Sequence, residues 1–151
     1  MRQKPPQYPS DQIWLSSTSR YSVYYEDTDF SGYVYHANYL KYFERGREEL
    51  IGLRYLQDLY QRGLHFVVAR AEVSYHKPAQ HGDTLEVSTR MPLVSRPVVQ
   101  VEHVISRVAE DGDAPVVLVT GSVKLAFVDA AGELTAVPPD VMTFFAGLPK
   151  G

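Results

Sequence analysis

The chain contains no cysteine, which excludes disulfides and thiolate metal ligands and fits a reducing compartment. It also lacks a long apolar run; nothing approaches the ~20 apolar residues that a membrane-spanning helix requires. The opening MRQKPPQYPSDQ is proline-rich and polar, without the apolar segment of a secretory leader, so a soluble cytoplasmic protein is expected. Positive charge is not in excess: 15 Lys and Arg against 18 Asp and Glu leave a net charge of −3. Any anionic ligand must therefore meet a local basic cluster, and a general role in nucleic-acid binding is disfavoured. His65, His76, His81 and His103 are scattered, without an H-x-x-x-H pair on a helix. Neither a metal nor an organic cofactor is expected.

What is present suits one domain with a real core: 151 residues, 44% hydrophobic and 22% charged. Residues 1–18, with Pro5, Pro6 and Pro9, read as a flexible arm pinned by Ile13 and Trp14, and residues 19–147 as the folded domain. RYSVYYED alternates as a strand with Tyr21, Val23 and Tyr25 on one face, and residues 26–35 form a loop containing Gly32. Ala37, Leu40, Phe43, Arg47, Leu50 and Ile51 recur at helical steps, predicting a helix from about His36 to Leu53 that Tyr39 and Tyr42 widen. YLQDLYQRG predicts a short second helix ended by Gly63.

The period then changes to two. Val67, Ala69, Ala71, Val73 and Tyr75 share a face, as do Leu85, Val87, Thr89 and Met91, and Val117, Val119, Val123, Leu125 and Phe127. PVVQVEHVISRV is a further β-branched strand, and PPDVMTFFAGL a last short helix. Short turns between strands require antiparallel neighbours, so the fold class is α+β, with one antiparallel sheet on one mostly apolar helix.

Residues 24–47, YYEDTDFSGYVYHANYLKYFERGR, combine Asp29, Gly32, Val34, His36, Asn38, Tyr39, Glu44 and Arg47 at specific spacing. This stretch resembles the signature of the hotdog-fold acyl-CoA thioesterases, in the branch of 4-hydroxybenzoyl-CoA thioesterase and its Tol-Pal-associated relatives. FVVARAEVSYHKPAQHGDTLEVSTR is similar to the next two strands of that family. The resemblance implies a sheet wrapped around the long helix, a homodimer or homotetramer, and an acyl-CoA substrate at the subunit interface. It implies that Asp29 acts on the thioester and that the backbone N–H of His36 faces the thioester carbonyl. Glu44 is the second acidic candidate, because some of these enzymes carry the catalytic carboxylate on the helix. Gly32, Tyr33, Val34, Tyr35, Asn38 and Tyr39 are candidates to line the substrate site, with Lys77 and Arg96 candidates for the CoA phosphates.

The chemistry is coherent with that arrangement. Thioester hydrolysis needs an activated nucleophile and a stabiliser for the developing oxyanion, and the unpaired N–H groups of a helix start supply the second. His36 lies seven positions after Asp29, with Gly32 between them, so a folded-back loop can aim both at one carbon. Asp29 either attacks directly or deprotonates a water. Glu26 and Asp27 read as loop stabilisers, and Glu44 and Arg47 as a helix ion pair. Two other functions stay open at this point: hydrolysis of acyl groups on a carrier protein, and a non-catalytic acyl-binding module.

Overall fold

Alternating β-branched and aromatic residues build a five-stranded antiparallel sheet, in which the first strand of the chain lies at one edge, followed by the third, fourth and fifth, with the second at the other edge. The computed structural model describes residues 8–151. The strands are β1 (Trp14–Ser22), β2 (His65–Tyr75), β3 (Thr84–Pro92), β4 (Val98–Arg107) and β5 (Val116–Val128). Helix α1 (Tyr39–Ile51) lies on the inner face, followed by α2 (Leu53–Gln61) and, after the sheet, α3 (Pro139–Ala146). The expected hotdog arrangement of a sheet around a long helix is thus present. None of the described helices is long and apolar enough to cross a membrane.

Helix α1 buries Tyr39, Tyr42, Phe43, Gly46, Leu50 and Ile51. Two glycines permit its close approach to the sheet. A Cβ at Gly46 would stand 2.9 Å from Val87 Cγ1 of β3, and one at Gly121 of β5 would penetrate the Phe43 ring. That ring has little room to retreat, because it stacks on His103 of β4 at 4.5 Å. Gly121→Ala is therefore expected to destabilise the fold by roughly 1–3 kcal/mol through overpacking, read as a lowered melting temperature. Gly147→Ala is the control: the added Cβ would meet only the Phe144 carbonyl, at 3.4 Å.

Several expectations need correction. Strand β1 begins at Trp14, so residues 14–18 belong to the sheet rather than to an arm, and the proline-rich residues 1–7 lie outside the described residues. The strand does not continue through RYSVYYED, because Tyr25–Asp27 form a 3-10 turn. The long helix starts three residues later than expected, after a 3-10 turn at His36–Asn38, and ends at Gly52, whose φ of 95° breaks it. Leu40 is not on the buried stripe but 42% exposed, because the helix is rotated to turn Tyr39 and Tyr42 inward.

Strand β2 departs furthest from its pattern. Its pairing with β5 skips from Val68 to Arg70, a bulge at Ala69 that reverses the alternation. Phe66 and Val73 consequently both pack on the core, although they have opposite parity. The strand is a sheet edge, and most of its residues are exposed, including Val67, Val68 and Tyr75.

Candidate active site

Asp27 organises the loop before α1. Its buried carboxylate accepts the Tyr24 N–H at 2.8 Å and the Asn38 side-chain amide at 3.1 Å, while its carbonyl accepts the Tyr35 N–H at 2.9 Å. One residue thereby ties both ends of the loop to the helix start. Between those ties, Thr28 and Val34 pair as a small antiparallel bridge, and the chain reverses at Asp29–Gly32. Gly32 donates to the Asp29 carbonyl at 3.0 Å and has a φ of 84°, which a side chain would resist.

Asp29 stands at the tip of this reversal, exposed to solvent. Its carboxylate accepts the Ser31 hydroxyl and the Ser31 N–H. These bonds, with a smaller contribution from the nearby His36, hold its carboxyl below 3.8. It is therefore an ionised, oriented carboxylate at neutral pH.

The 3-10 turn at His36–Asn38 runs directly into α1, since Asn38 and Tyr39 are already helical. Among the described residues, no acceptor meets the backbone N–H of His36 or Ala37. These are the free donors of a helix start, at its positive end. The Tyr75 hydroxyl donates to the His36 carbonyl at 2.8 Å, and the His36 ring packs on Tyr35 at 4.6 Å. A pocket of about 220 Å³ opens here, lined by Val34, His36, Tyr39, Tyr75, His76, Lys77 and Pro78.

The remaining candidates are distributed unevenly. Tyr33 bridges to Gln80 and is partly exposed, close to Asp29 in the reversal. Asn38 is buried, with its amide committed to Asp27. Arg96, in the β3–β4 turn, lies over the Tyr8 ring at 5.2 Å and lines neither described pocket. Glu44 faces a second pocket of about 370 Å³, between α1, α2 and the start of β2. The expected Glu44–Arg47 pair is not among the ion pairs of the described residues; Arg47 turns instead to His103.

That contact escaped the sequence reading. Arg47 Nη1 lies 3.1 Å from His103 Nε2, and His103 Nδ1 lies 3.1 Å from Thr89 Oγ1. A guanidinium can only donate, so Nε2 must accept; the histidine is neutral and donates from Nδ1 to Thr89. Burial, helped by the Arg47 charge, pushes the His103 pKa down to about 3. The usable signal was parity: Val99, Val101, His103 and Ile105 alternate, and all four are buried. No group of three or more potential metal-binding His, Asp or Glu side chains occurs among the described residues.

Comparison with known proteins places this geometry in context. The model of the thioesterase-like superfamily matches residues 23–145, spanning the Asp29 loop, the helix and the sheet. The acyl-CoA thioester hydrolase YbgC of Escherichia coli O6:H1 is 42% identical over 71 residues, 46% of this chain and 53% of that protein. The match thus spans about half the length of that relative. The acyl-CoA thioesterase YbgC of Haemophilus influenzae is 36% identical over 128 residues, 82% of this chain and 89% of its own. A probable thioesterase from Bartonella henselae, known by crystal structure, superposes with a TM-score of 0.65 at 35% identity, covering 82% of this chain and 99% of that one. With the signature loop, the wrapped helix and a match over most of its length, the chain belongs to the thioesterase-like superfamily.

Proposed function

We propose that this protein is an acyl-CoA thioesterase, hydrolysing the thioester to free acid and CoA. The reading is supported by a carboxylate at Asp29, close enough to His36 to feel its charge, in the loop that leads to the unpaired N–H groups at the start of the His36 turn. Asp29 activates a water, or attacks the carbonyl carbon itself and is released by a water in a second step. In either route the C–S bond breaks, and CoA leaves as the thiol. The N–H of His36 stabilises the oxygen that becomes negative, aided by the dipole of α1. Lys77, on the wall of the pocket beside His36, is a candidate for the CoA phosphates. The names of the YbgC relatives support this substrate class, and the lack of cysteine fits work in the reducing cytoplasm. Incubation with acyl-CoAs of several lengths, reading thiol release, tests the proposal; no release from any of them would overturn it. Release only from acyl groups on carrier protein would favour that substrate instead.

The active unit on this reading is a homodimer joined through β2. That strand is an unpaired edge with exposed Val67, Val68 and Tyr75, and edge pairing across a two-fold axis would cover them. The outer sheet face carries Arg20–Glu86, Arg90–Glu102 and Arg70–Glu72 ion pairs, which offer less for a second, back-to-back layer. Analytical ultracentrifugation at micromolar concentration is expected to show a dimer, and an active monomer would sink this arrangement.

A further inference from the structure

The 370 Å³ pocket contains a part-buried cation that the catalytic proposal leaves unused. Its walls are mainly apolar, with Ile51, Leu56, Leu59, Phe66, Val68 and Leu125 among them. Three charged side chains also line it: Arg47, Glu44 and Glu48. A guanidinium has five N–H donors, and among the described residues Arg47 makes one side-chain hydrogen bond, to a neutral histidine. No carboxylate pairs with it within the described ion pairs. No Arg47 nitrogen is among the buried, unpartnered polar atoms of the described residues, so its remaining donors are open to solvent, and a ligand in the pocket beside them can supply an acceptor.

The position is suited to the far end of a bound acyl chain. Strand β2 runs opposite to α1, with Tyr75 beside Tyr39 at one end and Phe66 and Val68 near Arg47 and Ile51 at the other. The two pockets therefore lie toward opposite ends of α1, each with residues of the edge strand in its wall. The eight helical steps from Tyr39 to Arg47 span about 12 Å, the reach of a medium-length acyl group and too far for a short one.

We infer that Arg47 is a specificity-determining residue, which selects a medium-chain acyl group bearing a hydroxyl at its far end. A hydroxyl oxygen accepts from the guanidinium and its proton is donated to Glu44 or Glu48. A terminal carboxylate also accepts from Arg47, but it brings a third negative charge to a pocket already lined by two. A methyl end leaves the donors unmet. The inference rests on the thioesterase reading for the placement of the acyl chain.

The test compares octanoyl-CoA, ω-hydroxyoctanoyl-CoA and ω-carboxyheptanoyl-CoA as substrates of the full chain. Wild-type protein is expected to favour the hydroxyl-ended substrate over octanoyl-CoA by roughly tenfold in kcat/KM, the scale of one hydrogen bond to a charged group. Arg47→Met should abolish that preference, and Arg47→Lys, which keeps the charge without the fork, should retain part of it. Melting temperatures report whether each variant folds; should both fail to fold, the wild-type preference among the three substrates decides alone. Equal or better use of octanoyl-CoA by wild type, a preference for the carboxylate, or a preference that survives in folded Arg47→Met would each overturn the assignment. If no thioester is cleaved, the thioesterase reading fails separately. Calorimetric binding of non-hydrolysable thioether analogues with the same three ends then reads the same preference directly, with the same outcomes for and against.

Discussion

Asp29→Asn is expected to lower turnover by roughly 10²-fold or more while leaving the melting temperature and acyl-CoA binding close to wild type. The side chain is exposed, and its carboxylate is held by Ser31 alone within the loop. The amide keeps the size and one acceptor oxygen but cannot serve as nucleophile or base. Stopped assays of thiol release, with calorimetric binding of a non-hydrolysable analogue, separate the two effects. Asp27→Asn is expected to show the opposite balance. It weakens a buried carboxylate that holds Tyr24 and Asn38, so stability should suffer more than chemistry. Glu44→Gln tests the helix-borne alternative: an inactive Glu44→Gln beside an active Asp29→Asn would reassign the site. The pH dependence follows from the sign of the Asp29 shift. Its working form is the carboxylate and the Ser31 hydrogen bonds hold its pKa below the ordinary carboxylate range, so loss of activity through this group is expected only in strong acid.

The second large effect is a loss of stability in mild acid, driven by His103. This side chain is 1% exposed and neutral in the fold, with a pKa of about 3 against an ordinary 6.5. Above pH 6.5 both folded and unfolded chains hold it neutral, so its full contribution is present. Below that, the unfolded chain takes up the proton first, and stability falls until the folded histidine also protonates near 3. The slope approaches ~1.4 kcal/mol per pH unit. Across the window this amounts to several kcal/mol, a large part of the 5–15 kcal/mol typical of a domain. Urea denaturation at pH 7 and at pH 5 should show the drop. His103→Gln, whose amide can accept from Arg47 and donate to Thr89, should flatten it; an unchanged pH dependence in that variant would remove His103 as the cause.

The local features of this protein were legible in the sequence. The period-two run at Leu85–Met91, the helical recurrence of Phe43, Leu50 and Ile51, and glycine at positions 32 and 63 follow from constraints acting within a few residues. In β5 the expected face fails at Val117, which is exposed while Leu118 is buried, because the pairing with β4 shifts register there. The family signature likewise read directly as a loop that leads a carboxylate to a helix start. Tertiary structure decided what depends on partners distant along the chain. The bulge at Ala69 arises from pairing with β5, and alternation within β2 alone cannot reveal it. Leu40 gave way to Tyr39 because the helix rotates to seat Gly46 against Val87 and Thr89, more than forty residues away in sequence. Arg47 and His103, 56 residues apart, meet only after α1 docks on the sheet. The neutral state of His103 is a consequence of that burial, since a histidine beside an arginine is unremarkable in water and forced neutral once water is removed.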